Sequence, residues 1–118
     1  MGLTYLNVSV ANPARPEDSR RVQFLVDSGA MYSIVPRQIL EDLGIRPHSI
    51  QRLALANGSE IQRALGSAYF EYDGGRGASP VIFGEPGDAL VLGAFSLEAM
   101  GFIIDPIRRQ LRPAPMVV

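Results

Sequence analysis

The chain has 118 residues, no cysteine, one histidine (His48), and eleven basic residues that are all arginine, so disulfides, thiol nucleophiles, Cys/His zinc sites and lysine Schiff bases are excluded together. A net charge of −1 with scattered arginines offers no basic face to nucleic acid, and the most apolar stretch, Ala89 to Leu97, stops at Glu98, well short of the about 20 residues of a membrane span. Residues 1–8 carry no basic-then-apolar leader pattern, and the expectation is one cytoplasmic domain over residues 1–118, with neither nucleic acid nor membrane as a partner.

Leu6, Val8 and Val10 alternate with Asn7 and Ser9, the period of a half-buried strand. Ala11 to Arg20, with Pro13, Pro16, Glu17, Asp18 and Ser19, reads as a polar connecting loop, and Val22, Phe24 and Val26 resume the alternation, giving a long-looped hairpin. After a strand ending near Val35, Pro36 suits a first helical position, Ile39, Leu40 and Leu43 share a face, and Gly44 suits the stop. Ile50 to Ala56 and Glu60 to Leu65 flank Asn57-Gly58, a short hairpin signal. Gly66 to Tyr72 continues the second run with Ala68, Phe70 and Tyr72 alternating, Asp73-Gly74-Gly75 turns the chain, Val81 to Phe83 is a strand, and Gly84 to Asp88 is a loop. Ala89 to Leu92, apolar on both faces, is expected as a central strand. Phe95 to Met100 forms a short helix stopped by Gly101, Phe102 to Ile104 is a strand, and Asp105-Pro106 begins a turn into Gln110 to Arg112. Glycine (12) and proline (9) are both enriched, which suits short strands and many turns.

The stretch Phe24 to Pro36 places an acid, a hydroxyl and a glycine, Asp27-Ser28-Gly29, at a sharp bend between two apolar runs. A charge costs free energy there, Gly29 lets the backbone turn, and Ser28 can bond backbone groups at the bend. Alone, such a triplet is an ordinary turn. Here it is followed in order by the hairpin Ala56-Asn57-Gly58-Ser59 and by Leu90-Val91-Leu92-Gly93-Ala94, then a short helix and a closing strand. With Phe24 to Ala30, these motifs resemble the retropepsin-like, or retroviral-type, aspartic proteases over roughly Leu6 to Leu111.

The resemblance implies an all-β fold, a closed or partly open acid-protease-type β-barrel with one or two short helices. It implies that each chain is half an enzyme, a homodimeric endopeptidase acting on peptide or protein substrates, with Asp27 as the catalytic carboxylate and Ser28, Gly29 and Ala30 supporting the pair. Ala56, Asn57, Gly58 and Ser59 become a flap over substrate, and Leu92 and Gly93 the strand beside the Asp27 loop. No cofactor and no metal is expected. Where many members have Thr, this chain has Ser28, and where retroviral members place a mutually paired acid and arginine it has Met31 and Ala94. A second reading keeps fold and dimer but binds extended peptides without cutting them; a third is a monomeric barrel in which Asp27 is a structural turn residue.

Other candidates read as structure. Asp105 precedes a proline at a turn, Asp73 and Asp88 sit beside glycines in exposed-looking turns, and His48 lies in a surface loop. Tyr69 and Tyr72 read as sheet residues, and Arg108, Arg109 and Arg112 as a solvated turn. Pro113 and Pro115 lose donors on the same edge of an extended tail, so Arg112 to Val118 pairs along one edge only.

Overall fold

A computed structural model describes residues 4–105, 107–108 and 110–114. The expectations placed on Pro106, Arg109 and the tail from Pro115 lie outside the described residues. The element order is β1 (Tyr5–Asn12), β2 (Arg15–Val26), β3 (Ser33–Pro36), α1 (Arg37–Asp42), β4 (Ser49–Ala54), β5 (Glu60–Tyr72), β6 (Gly75–Gly84), β7 (Val91–Leu92), α2 (Ala94–Met100), β8 (Phe102–Asp105) and β9 (Gln110–Pro113). Among the described residues no helix is long and apolar enough to cross a membrane.

Seven strands form one sheet in the order β3-β6-β5-β1-β2-β7, with β4 pairing the first half of β5. The β1–β2, β1–β5, β4–β5 and β5–β6 pairs are antiparallel, while β2–β7 and β3–β6 are parallel. The sheet curls until its two end strands, β3 and β7, lie side by side. No backbone ladder joins them, so the barrel stays open and the closed alternative is not met. A separate antiparallel pair, β8 and β9, follows α2. Pro113 ends β9, which among the described residues pairs with β8 alone, as an edge strand does.

Alternation put the right residues inside. Val8, Val10, Phe24, Leu40, Leu43, Phe70, Val81, Phe83 and Leu92 are all fully or almost fully buried in one cluster. The Phe24 and Phe70 rings meet at a centroid distance of 6.2 Å with planes tilted by 57°. Pro36 is the last residue of β3 and stands at the N-cap of α1, one position before the first helical place expected of it, while Leu40 and Leu43 face the core as their spacing requires. Gly101, with φ of 83°, closes α2.

Three assignments need correction. The loop expected over Ala11 to Arg20 is mostly strand, because β2 begins at Arg15 and the chain turns through Pro13 and Ala14 alone, with Asn12 paired to Arg15. Asn12 Oδ1 accepts the Ala14 N–H at 2.9 Å and fixes that turn. Residues 13–21 are all exposed, so neither face of this arm is apolar and the period-2 signal vanishes although the ladder persists. The strand expected over Val81 to Phe83 begins at Gly75 and runs ten residues to Gly84. The apolar run at Ala89 to Leu92 contains a two-residue strand at the end of the sheet, not its centre. Leu92 is buried because β3 covers its side of the sheet without pairing to it.

Candidate active site

Asp27 is the first residue after β2, at the start of a loop that runs to β3. Its backbone N–H donates to Leu92 O at 3.0 Å, which extends the parallel β2–β7 ladder by one bond. The loop then folds back on itself: Gly29 N–H donates to Asp27 Oδ1 at 2.9 Å, and Ala30 N–H to Asp27 O at 3.2 Å. A Cβ at Gly29 would stand 3.1 Å from Asp27 Oδ1, so a bare backbone position suits this approach. Asp27, Ser28 and Gly29 are exposed and Ala30 is half-buried. Asp27 Oδ2 and the Ser28 hydroxyl have no hydrogen-bond partner among the described residues.

The far side of the loop is held by the start of α2. Ala94 N–H donates to Ala30 O at 2.8 Å, Phe95 N–H to Met31 O at 3.1 Å, and Gly93 N–H to Ser33 Oγ at 2.9 Å. Orphan amides of a helix start thus find acceptors in the loop. Leu92 and Gly93, both buried, lie beside the Asp27 loop. Glycine is required at 93, because an added Cβ would lie 2.6 Å from Tyr32 O, 2.7 Å from Tyr32 C and 2.9 Å from Ala30 O.

The hairpin tip joins β4 to β5. Gly58 N–H donates to Leu55 O at 3.0 Å and Leu55 N–H to Ser59 O at 2.8 Å, with Gly58 at φ of 87°, the pattern of a three-residue hairpin loop with a left-handed third position. Asn57 Oδ1 accepts both Ser59 N–H at 3.0 Å and Ser59 Oγ–H at 2.6 Å. Ala56, Asn57, Gly58 and Ser59 are all exposed, and none of them bonds to the Asp27 loop among the described residues. Met31, 58% exposed, and Phe95, 37% exposed, leave an apolar surface at that loop, with the Tyr32 and Phe95 rings edge-to-face at 5.5 Å.

Two features of the surroundings escaped sequence reasoning. Ser33, Ser79 and Ser96 are buried and linked hydroxyl to hydroxyl; their only signal was a small polar residue inside an otherwise apolar segment. The loop Glu85 to Asp88, between β6 and β7, is pinned by two arginines. Arg37 Nε and Nη2 both donate to Glu85 Oε2, at 3.0 and 2.6 Å, and Arg63 Nε and Nη2 donate to the two oxygens of Asp88 at 2.7 and 2.9 Å. Asp88 Oδ2 also accepts Glu85 N–H at 2.8 Å. The Arg37 hydrogen bonds hold the Glu85 carboxyl below its ordinary value against the opposing effect of burial, and Arg63 does the same for Asp88. Asp88 is thus structural, as read, but not exposed: its side chain is 17% accessible.

The remaining candidates lie away from the loop. Asp105 Oδ1 accepts the N–H groups of Ile107 and Arg108, and these two bonds depress its pKa. His48 is exposed, its Nδ1 3.2 Å from Ser49 Oγ. Arg108 and Arg112 are exposed, and Arg112 Nε lies 3.9 Å from Asp105 Oδ2. A cleft of about 450 Å³ between Pro36, Arg37, Glu85, Pro86 and Leu90 includes no residue of the Asp27 loop. Among the described residues no cluster of acids and histidine is placed to hold a metal.

An open, curled sheet with a glycine-bearing acidic loop clasped between β7 and α2 defines the retroviral protease class of fold. The solution structure of simian foamy virus (mac) protease is similar, with a TM-score of 0.56 and 22% identity over 80% of this chain and 92% of that one. Residues 12–94 match the family model described as aspartyl protease, and the chain belongs to this retropepsin-like aspartyl protease family. No curated protein sequence matches it.

Proposed function

We propose that the protein is a homodimeric aspartic endopeptidase in which Asp27 of each of two chains forms the catalytic pair. The observation that carries this reading is the state of Asp27 in the single chain: exposed, one oxygen fixed by Gly29 N–H, the other without a partner among the described residues, on a loop tied down on both sides. Its second oxygen is open to a water molecule and to the carboxylate of a second copy. The family supplies the reaction class, and the presence of one Asp-Ser-Gly per chain supplies the need for a second copy.

Two carboxylates held about 3 Å apart share one proton. The ionised one takes a proton from a bound water as its oxygen bonds to the scissile carbonyl carbon, and the protonated one gives its proton to the carbonyl oxygen. The resulting gem-diol collapses with cleavage of the C–N bond: the amine nitrogen takes the proton of the protonated carboxyl, and one hydroxyl of the diol returns its proton to the ionised one, so the pair ends with one proton as it began. The water and peptide atoms are then all in the acid and amine products. No covalent intermediate forms. The exposed β4–β5 hairpin serves as the flap, closing on an extended peptide that lies as an added strand.

The test is cleavage of a mixed peptide library between pH 3 and 7 by wild type and Asp27→Asn, with the mass of each in solution. Cleavage by a dimer that falls at least ~10³-fold in the variant supports the reading. A well-folded dimer that binds peptides and cuts none replaces it with a peptide-binding module. Equal turnover by both forms overturns the assignment of Asp27.

A further inference from the structure

Ser33, Ser79 and Ser96 come from three elements, β3, β6 and α2, and are 0%, 6% and 0% exposed. Ser33 Oγ lies 2.5 Å from Ser96 Oγ, and Ser96 Oγ lies 2.8 Å from Ser79 Oγ. One end of this row receives Gly93 N–H at 2.9 Å, and at the other Ser79 Oγ lies 3.4 Å from Pro80 O. Both ends have fixed polarity, since an amide can only donate and a carbonyl can only accept. Each hydroxyl has one proton. If Ser79 gives its proton to Pro80 O, the Ser96–Ser79 bond uses the Ser96 proton and the Ser33–Ser96 bond uses the Ser33 proton. The row therefore runs one way, from Gly93 through Ser33, Ser96 and Ser79 to Pro80. No buried side-chain polar atom among the described residues is left without a partner.

The position of the row gives it a role. Ser33 is the first residue after the Asp27 loop, and Gly93 follows the strand whose Leu92 O accepts Asp27 N–H. The sheet has no ladder between β3 and β7, so the Gly93–Ser33 bond is the polar link that joins its two ends where the loop begins and finishes. We infer that the Ser33–Ser96–Ser79 row is a one-way hydrogen-bond clamp that sets the Asp27 loop against β7, making these serines positioning residues for catalysis. Ser33 and Ser96 are fully buried, so the bonds of the row are made where water cannot replace a lost partner. The catalytic half of this inference rests on the proposed role of Asp27; the structural half does not.

Amide hydrogen exchange separates the two halves. In Ser33→Ala the Gly93 amide loses its acceptor, and its exchange should quicken by about 100-fold, with Asp27 and Ala94 amides quickening beside it and the Val10 and Phe70 amides unchanged. Ser33→Thr keeps the hydroxyl and should restore protection. Ser96→Ala removes only the middle of the row and should raise Gly93 exchange less, by roughly 10-fold. Wild-type rates at Gly93 and Asp27 in Ser33→Ala overturn the clamp; should that variant fail to fold, wild-type rates in Ser96→Ala do so. In peptide cleavage, Ser96→Ala should lower kcat ~10-fold or more with KM unchanged, the signature of a misplaced reacting group. Unchanged kcat with quickened exchange overturns the positioning role. A wild type that cleaves nothing removes the proposed function and leaves the exchange result to decide the clamp.

Discussion

Arg63 grips Asp88 with two parallel hydrogen bonds, so the strand that rises into the hairpin tip is fastened to the loop that delivers β7 to Asp27. The pair joins residues 25 apart, and its side chains are 18% and 17% accessible. Planar bidentate geometry of this kind resists lysine replacement and fixes direction as well as distance. Because Asp88 also accepts Glu85 N–H, the carboxylate closes the loop's own turn while it holds the strand.

The pH dependence of that contact follows from the direction of its shift. The Asp88 carboxyl is held below its ordinary value, first by the Arg63 hydrogen bond. A depressed folded value means the stabilisation is complete above the unfolded aspartate value of about 3.9 and is lost as pH falls through the lower folded one. Asp88→Asn should therefore lower Tm by roughly 5 °C at pH 6 to 7, and the gap from wild type should close as the pH drops below about 3.9. Thermal unfolding by circular dichroism at several pH values measures it. A gap that stays constant to pH 2 would show that charge contributes nothing to this contact.

Two glycines that look alike in the sequence differ in what they permit. Gly93→Ala puts a methyl into backbone atoms of Tyr32 and Ala30, which have nowhere to move without shifting the Asp27 loop. Its cost should be in the range of about 1–3 kcal/mol, with loss of any cleavage. Gly58→Ala meets nothing within 4 Å and suffers only from its φ of 87°, a strain of about 1–2 kcal/mol confined to the hairpin tip. Denaturant midpoints and peptide turnover, read on both variants, should show Gly58→Ala retaining activity and Gly93→Ala losing it. The reverse order would place the tight approach elsewhere.

What could be read from the sequence was whatever buries one face. Val8, Val10, Phe24, Phe70 and Leu92 announced themselves by alternation or by apolar runs, and Gly44 and Gly101 marked helix ends. The arm from Arg15 to Arg20 was hidden, because a strand solvated on both faces is held by backbone bonds that side chains do not encode. The edge position of β7 was hidden for the opposite reason, since burial by an unpaired neighbour looks like burial inside a sheet. Asp27 and its order relative to Gly58 and Gly93 were visible as motifs. The serine row and the Arg63–Asp88 grip were not, because each is a meeting of distant residues whose types are common on any surface.

Met31 and Phe95 are exposed at the loop that the proposed dimer brings together. An interface built on such side chains draws on apolar area and not on ion pairs, and salt screens only the latter. The dimer should hold its affinity between 0.05 and 1 M salt. Met31→Asp should weaken it by about 10-fold or more, because the new carboxylate is desolvated without a partner. Sedimentation equilibrium reads both. Dissociation on raising salt would assign the interface to charged residues instead.

Asn57 holds the hairpin tip by accepting both the N–H and the hydroxyl of Ser59 on one oxygen, a local turn motif that needs no other element. Asn57→Ala frees both donors to water while leaving the Leu55–Gly58 and Leu55–Ser59 bonds in place, so the loop persists with a looser tip. Every residue of the tip is exposed, which keeps the cost to global stability small. The effect belongs in substrate capture: a tip that must be ordered on closing takes that entropy from binding. KM should rise roughly 3- to 10-fold with Tm unchanged and kcat lowered less. Steady-state kinetics on a single peptide, beside a melting curve, decide it. A kcat loss with KM intact would mean that the tip acts on the reacting groups, and an unchanged KM with unchanged kcat would mean that this hairpin does not close over the substrate.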